Sequence, residues 1–244
     1  MEKPEPITFA RGETAFAIRL RETAPLSETL DALGLPHPRP ALVVVGGAGE
    51  LDETDLSRLR PLFREALAPV AEATAACVVD GGTDSGIMQL MGQARAAMQA
   101  NFPLIGVAAV GTVALPDAPP SSADAAPLEP HHTHFVLVPG SQWGDEAPWI
   151  ARVASAIAEG KPSVTVLING GEVAWEDVAQ SVAAGRFVIV IEGSGRTADQ
   201  LAAALRGEPG DDRAQRLAAS GLLRAVELEE DPTALSALLS RLLS

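Results

Sequence analysis

The chain has 244 residues, a hydrophobic content of 47% and a formal net charge of −14, which excludes wholesale disorder and leaves room for one large domain or two small ones. So acidic a surface repels nucleic-acid backbones and anionic lipids, and no run of Lys or Arg reverses the field, so DNA and RNA are not expected partners. One cysteine, Cys77, suits a reducing compartment; with no stretch of ~18 apolar residues and no secretory signal pattern, a soluble, cytoplasmic protein is expected.

Residues 7–20 place Ile7, Phe9, Phe16, Ile18 and Leu20 around Arg11-Gly12-Glu13, an alternation that predicts an N-terminal β-hairpin. Strand and helix then alternate. Residues 41–45 form an apolar run ending in Gly46-Gly47-Ala48-Gly49. Leu56, Leu59, Phe63, Leu67 and Val70 follow at helical spacing, where Pro61 is tolerable only near the first turn. Residues 76–79 lead into Asp80-Gly81-Gly82-Thr83 and a helical stripe of Ile87, Leu90, Met91, Ala94 and Met98. Residues 104–110 and 135–138 predict the next strands, the second followed by a helix carrying Ile150, Val153, Ala154 and Ile157. Residues 164–168 and 187–191 are two more, the latter running into Gly193-Ser194-Gly195. A final strand over 223–228 has the alternation of a sheet edge, and Asp231-Pro232 opens a C-terminal helix. Residues 112–130 predict a long loop and 206–213 a short polar connection. Strands apolar throughout, separated by helices, predict a doubly wound, mostly parallel α/β sheet in a single domain over residues 1–244.

In such a sheet ligands bind beyond the carboxyl ends of the strands. Three Gly-rich turns fall there, at residues 46–49, 81–86 and 193–195. Glycine permits a sharp turn and close approach, and the next helix aims its first N–H groups at an anion. Each turn is also compatible with a plain strand-to-helix connection; together they favour a phosphate or ribose site. None reads GxxxxGK[ST], and Gly47-x-Gly49 lacks the third glycine of a dinucleotide fingerprint. Arg196 follows the third turn, beside Thr197 and Gln200 at capping-box spacing. A cation at a helix N-terminus needs an anion, supplied by Glu192 or Asp199 or by a ligand phosphate. His131, His132 and His134 raise a metal site, but no Cys or further His is near in sequence to complete one, so no metal is expected. His134 reads instead as a hydrogen-bonded histidine at the mouth of a cleft.

The motifs together resemble a family. Gly81-Gly82-Thr83-Asp84-Ser85-Gly86-Ile87-Met88 resembles a turn in the N-terminal cytosolic domain of melastatin-type TRP channels. His132-Thr133-His134-Phe135 resembles its next strand, and Gly144-x-Glu146 with Arg152 its helix start. Glu192-Gly193-Ser194-Gly195-Arg196 is similar to its last signature. The resemblance covers residues 40 to 205 and points to a stand-alone prokaryotic member of the SLOG superfamily, whose domains are Rossmann-like. It implies a non-catalytic sensor for a nucleotide-derived molecule such as ADP-ribose or its cyclic form, with no cofactor. Arg152 and Arg196 would reach phosphates. Gly82, Thr83, Gly86, Gly193, Ser194 and Gly195 would supply backbone and hydroxyl contacts, with Gly46 and Gly47 near the base or ribose and Glu146 in the site.

The sequence departs from that pattern twice. Ile150 stands where the channels tend to carry a second arginine. Gly81-Gly82-Thr83 also lacks the preceding proline and the following glutamate of the related lonely-guy phosphoribohydrolases. The alternative is an enzyme that cleaves nucleotide or NAD-type glycosidic bonds, with Glu146 or Glu192 as acid and base. Trp143 and Trp149 would stack on a base or cover an interface between copies of the chain.

Overall fold

Strands that are apolar on both faces must be covered on both faces, and the computed structural model shows how. It describes residues 3–21, 25–116, 118–120, 122–229 and 231–244. The hairpin is β1 (Glu5–Thr8) and β2 (Thr14–Arg19), paired antiparallel. A short helix, α1 (Leu26–Ala32), precedes β3 (Ala41–Gly46). The next helix has three parts: α2 (Glu53–Pro61), a π-helical stretch Leu62–Leu67, and α3 (Ala68–Ala73). Then come β4 (Cys77–Asp80), α4 (Gly86–Met98) and β5 (Leu104–Ala109). Two-residue strands β6 (Val113–Ala114) and β7 (Ala126–Pro127) lie inside the predicted loop. The second half comprises β8 (His134–Val138), α5 (Ala147–Ala158), β9 (Ser163–Ile168), α6 (Glu172–Ala183), β10 (Phe187–Glu192), α7 (Arg196–Leu205), α8 (Asp212–Ala218), β11 (Leu223–Glu227) and α9 (Pro232–Leu242).

Among the described residues nine strands form one sheet in the order β1-β2-β8-β5-β4-β3-β9-β10-β11. Every neighbouring pair is parallel except β1 with β2. The fold is therefore a single, mostly parallel, doubly wound α/β domain, Rossmann-like, with an antiparallel N-terminal hairpin. Alternate strand residues feed two cores. Ala41, Val43 and Val45 face α1, α5, α6, α7 and α8, whereas Leu42 and Val44 face the α2–α3 helix, α4 and α9. A third cluster, around Phe9, Phe135 and Leu137, seals the hairpin end.

Three local expectations change. Pro61 is not in a first turn: the helix starts at Glu53, capped by the Asp52 carboxylate, so the proline falls in the third turn. A widened turn absorbs it, with the Ala68 N–H donating to the Phe63 carbonyl five residues back. The connection over 206–213 ends inside helix α8, and α1 occupies a segment with no predicted element. Both helices have seven residues, too short to repeat an apolar stripe convincingly.

Candidate functional site

Strand β3 is followed in space by β4 on one side and β9 on the other, and the chain leaves β3 and β9 toward opposite faces of the sheet. A crevice opens at such a reversal. Here it is a cleft of about 570 Å³, floored by Val44 and Val45 and walled by the turns after β3, β4 and β9. Trp143, Glu146 and Ile150 from the start of α5 close one side, and Thr112, Asp124 and Ala126 from the long loop close another. Trp143 is 46% exposed.

Close packing dictates the glycines of the wall. A Cβ on Gly46 would overlap the Ile168 carbonyl, and one on Gly86 would overlap the Gly47 carbonyl. That carbonyl accepts the Ile87 N–H at 3.0 Å, so the first and second glycine turns are joined directly. Asn169 joins the first to the third, lying where a Cβ on either Gly47 or Gly195 would come within 2.8 Å of its side-chain amide. The amide donates to the Ser194 carbonyl at 2.6 Å and accepts the Gly170 N–H at 2.9 Å; the Asn169 N–H donates to the Ser194 hydroxyl at 2.7 Å. Asn169 also takes a left-handed φ of 58°, which asparagine tolerates better than most residues.

Most amides of the third turn and the start of α7 are bonded within the chain. The Gly193 N–H donates to Asp199, the Ser194 N–H to the Ile191 carbonyl, and the Thr197 and Ala198 N–H groups to Gly170 and Asn169. The capping box is not formed, because the Thr197 hydroxyl donates to the Gly171 carbonyl instead. What this turn offers the cleft is Arg196. With a φ of 53° it starts α7, and its guanidinium lies over Gly171 at the N-terminus of α6. Its carboxylate partner is neither Glu192 nor Asp199 but Glu50, which is 74% exposed. Gly171, Glu172 and Val173 also line the cleft, and the first amides of a helix have no carbonyl four residues back.

Two buried acids complete the site. Glu146 is 8% exposed, and its Oε2 accepts the Gly144 N–H at 3.0 Å. Burial raises its pKa; the N–H groups of Glu146 and Gly144 offset this, and the charge of Asp145 adds to it. Asp177, on the inward stripe of α6 with Ala174, Val178 and Ser181, is 7% exposed. Burial, then the charges of Glu146 and Glu176, push it up to about 8. Its Oδ1 is buried without a hydrogen-bond partner.

Of the residues singled out from sequence, Gly46, Thr83, Glu146 and Arg196 line this cleft. Gly47, Gly86, Ser194 and Gly195 build its frame as described. Gly82 packs on Gly106 and Phe135, and its N–H donates to Asp80. Gly193 is tied to Asp199, and Arg152 is exposed, with its guanidinium 4.1 Å from the Trp149 ring centre. Trp149 itself is buried in the core. Glu192 pairs with Arg206. His134 is not at the cleft mouth: it opens β8 at the opposite end of the strand, bonded to the Thr133 hydroxyl, and burial holds it down at about 4. His132 is the fully buried histidine, gripped by Asp80 and Glu129 at 2.8 Å each. Sequence reading missed the Asn169-Gly170-Gly171 turn and Asp177. The first had a signal, a Gly-Gly pair after a buried strand; the second had only an acid on an apolar helix stripe.

Fold and cleft thus define a Rossmann-like α/β domain with a ligand-sized site at its topological switch point. The chain belongs to the family described as "SLOG in TRPM, prokaryote", which matches residues 39–237 and so reaches into α9. It is 27% identical over 204 residues to transient receptor potential cation channel subfamily M member 2 of Rattus norvegicus, and equally to that of Mus musculus. The member-like 2 protein of Nematostella vectensis is 28% identical over 201 residues. The alignments cover 67–69% of this chain but 13% of each relative. Among the described residues no helix is long and apolar enough to cross a membrane, and no group of three or more His, Cys, Asp or Glu is placed to hold a metal.

Proposed function

We propose that this domain is a cytoplasmic sensor that binds a nucleotide-derived molecule, such as ADP-ribose or cyclic ADP-ribose, in the switch-point cleft. The observation that carries it is the placement of Arg196 over the N-terminus of α6, with a single solvent-exposed carboxylate as partner. A phosphate would displace Glu50, take the guanidinium bidentately and receive the helix amides. Trp143, half exposed on the wall, suits a stacked base, with Thr83 and the Gly46–Gly49 turn at its edges. The family and its channel relatives support a nucleotide-related role. Isothermal titration with ADP-ribose, cyclic ADP-ribose, NAD and AMP tests this. Binding by at least one is expected, weakened about 10- to 100-fold in Arg196→Ala, since charge-assisted hydrogen bonds contribute roughly 1.5–3 kcal/mol. No binding at ~1 mM, an affinity of only about −4 kcal/mol, sinks the reading.

A hydrolytic reading draws on one observation: Glu146 lines the cleft with a raised pKa, as a general acid requires. Incubation with NAD or AMP followed by chromatography decides it. Released base that disappears in Glu146→Gln would make the domain an enzyme.

A further inference from the structure

We propose that Asp177 and Glu146 form a subsite for the free hydroxyls of a sugar, so that the cleft selects ligands uncharged at that end and rejects those phosphorylated there. This rests on the cleft being the nucleotide site.

Both carboxyl groups line the same cavity, yet each is more than nine-tenths withdrawn from solvent. Buried polar atoms are almost always paired, so the bare Asp177 Oδ1 in a ligand-sized wall calls for a donor from outside the chain. A phosphate brings only acceptors and charge. It would face Glu146 and Asp177 directly, with Asp124 and Glu172 in the same walls. A sugar hydroxyl brings a donor and an acceptor without charge. Asp177 feels the charge of Glu146 across this cavity, so the two favour keeping one proton, and together they then offer both a donor and acceptors, the complement of a vicinal diol. The spacing agrees. Asp177 lies six residues along α6 from Gly171, about 9 Å at 1.5 Å per residue, within the span of a sugar and the phosphate esterified to it. Reading a ribose hydroxyl with a carboxylate, and thereby excluding a phosphate, is established chemistry in dinucleotide sites, where the acid sits elsewhere in the fold.

Of the other charges around Asp177, Asp124 of the long loop shares the cleft wall, and the rest are already engaged or lie on its own helix. From α5 it faces Glu146, and on α6 Glu176 is nearby while Glu172 pairs with Arg213 of α8. Arg213 also holds Asp211, Arg196 of α7 pairs with Glu50, and Glu192 at the end of β10 pairs with Arg206. From β9 the neighbour is neutral, the Thr165–Ser181 hydroxyl pair. Loss of the proton that Asp177 keeps is therefore the event that should weaken sugar binding as pH rises.

The test is calorimetric titration of the wild-type chain, Asp177→Asn and Asp177→Val with AMP, 2′-deoxy-AMP and adenosine 3′,5′-bisphosphate at pH 7 and pH 9. Wild type should bind AMP at least tenfold more tightly than either analogue at pH 7, with the margin shrinking at pH 9. Asp177→Asn, which keeps a neutral donor and acceptor, should retain AMP binding and lose its pH dependence. Asp177→Val should erase the preference for AMP over 2′-deoxy-AMP. Wild-type binding with no preference among the three, or a preference unchanged in Asp177→Val, overturns this subsite and leaves the nucleotide site standing. Release of close to one proton on AMP binding, seen as buffer-dependent heat, overturns it, because an acid that ionises on binding is not offering its proton to a hydroxyl. If no nucleotide binds the wild type, both readings fall.

Discussion

Two groups of buried acids flank the cleft wall, one paired with a histidine and the other not. Behind the Gly81–Thr83 turn, Asp80 and Glu129 grip His132 from both ring nitrogens, and all three are 0–1% exposed. Burial opposes charge on the imidazole, but Asp80 and then Glu129 push it up to about 9. Burial would likewise raise Glu129, yet His132 and His131 hold it below its ordinary value. Asp80 also fastens the turn through the Gly82 N–H, so its charge is spent on structure. Its Oδ2 lacks a hydrogen bond too, but Asp80 does not line the cleft. In the other group no cation pairs with Glu146 or Asp177 among the described residues; burial raises both carboxyls, and one oxygen of Asp177 stays open. A cluster whose charges pair from within holds a wall in place, whereas an unpaired one on a cavity has work left for a ligand.

The largest effect should come from breaking the first group. His132→Phe strips buried Asp80 of its cation and leaves Glu129 only His131, and should cost about 3–5 kcal/mol, seen as a large drop in thermal midpoint or loss of folded protein. A smaller cost, about 1–3 kcal/mol, is expected for Gly92→Ala, because the Glu129 carboxylate occupies the space of the added methyl. The pH profile of the wild type should carry the same signature. His132 binds its proton more tightly folded than unfolded, so its contribution is complete below about 6.5 and is lost as pH rises through about 9. Glu129, depressed in the fold, contributes above about 4.3 and fails in acid.

The second group should show the opposite response. Asp177 has a raised folded pKa, so its cost is absent below about 4, grows from there to about 8 and is constant above. Asp177→Asn should thus raise the thermal midpoint at pH 8 by a few degrees, on the order of 1–2 kcal/mol, and leave it unchanged at pH 4. An equal gain at both pH values would erase the distinction between the groups. The smallest expected effect is in Glu50→Gln, which frees Arg196 from a surface partner and should tighten AMP binding a few-fold without altering stability.

The organisation of the chain was legible because buried parallel strands and amphipathic helices write themselves in hydrophobic period. Residues 41–45, 104–110 and 187–191 predicted β3, β5 and β10 to within a residue. The glycine turns were legible too, but not their division of labour. In sequence, 193–195 looked like the phosphate cradle; in the fold the Gly193 and Ser194 amides are bonded within the chain, and the start of α6 lies beside Arg196 in the same cleft. Arg152 and Glu192 have the same chemistry as Arg196 and Glu146, and only their neighbours, Trp149 and Arg206, set them apart.

The sequence by itself determined a doubly wound α/β domain, the family it belongs to, and glycine turns at the carboxyl ends of its strands, because local spacing carries all of these. Only the tertiary structure decided where β3 and β9 part, and hence where the cleft lies. It alone brought Asn169 between two glycine turns, set Asp177 beside Glu146 and buried His132 between two acids. Apart from Glu129, three residues from His132, those partners lie between 25 positions away, as Ser194 from Asn169, and 122 positions away, as Gly47 from Asn169, and desolvation, which makes them matter, exists only once the chain has closed over them.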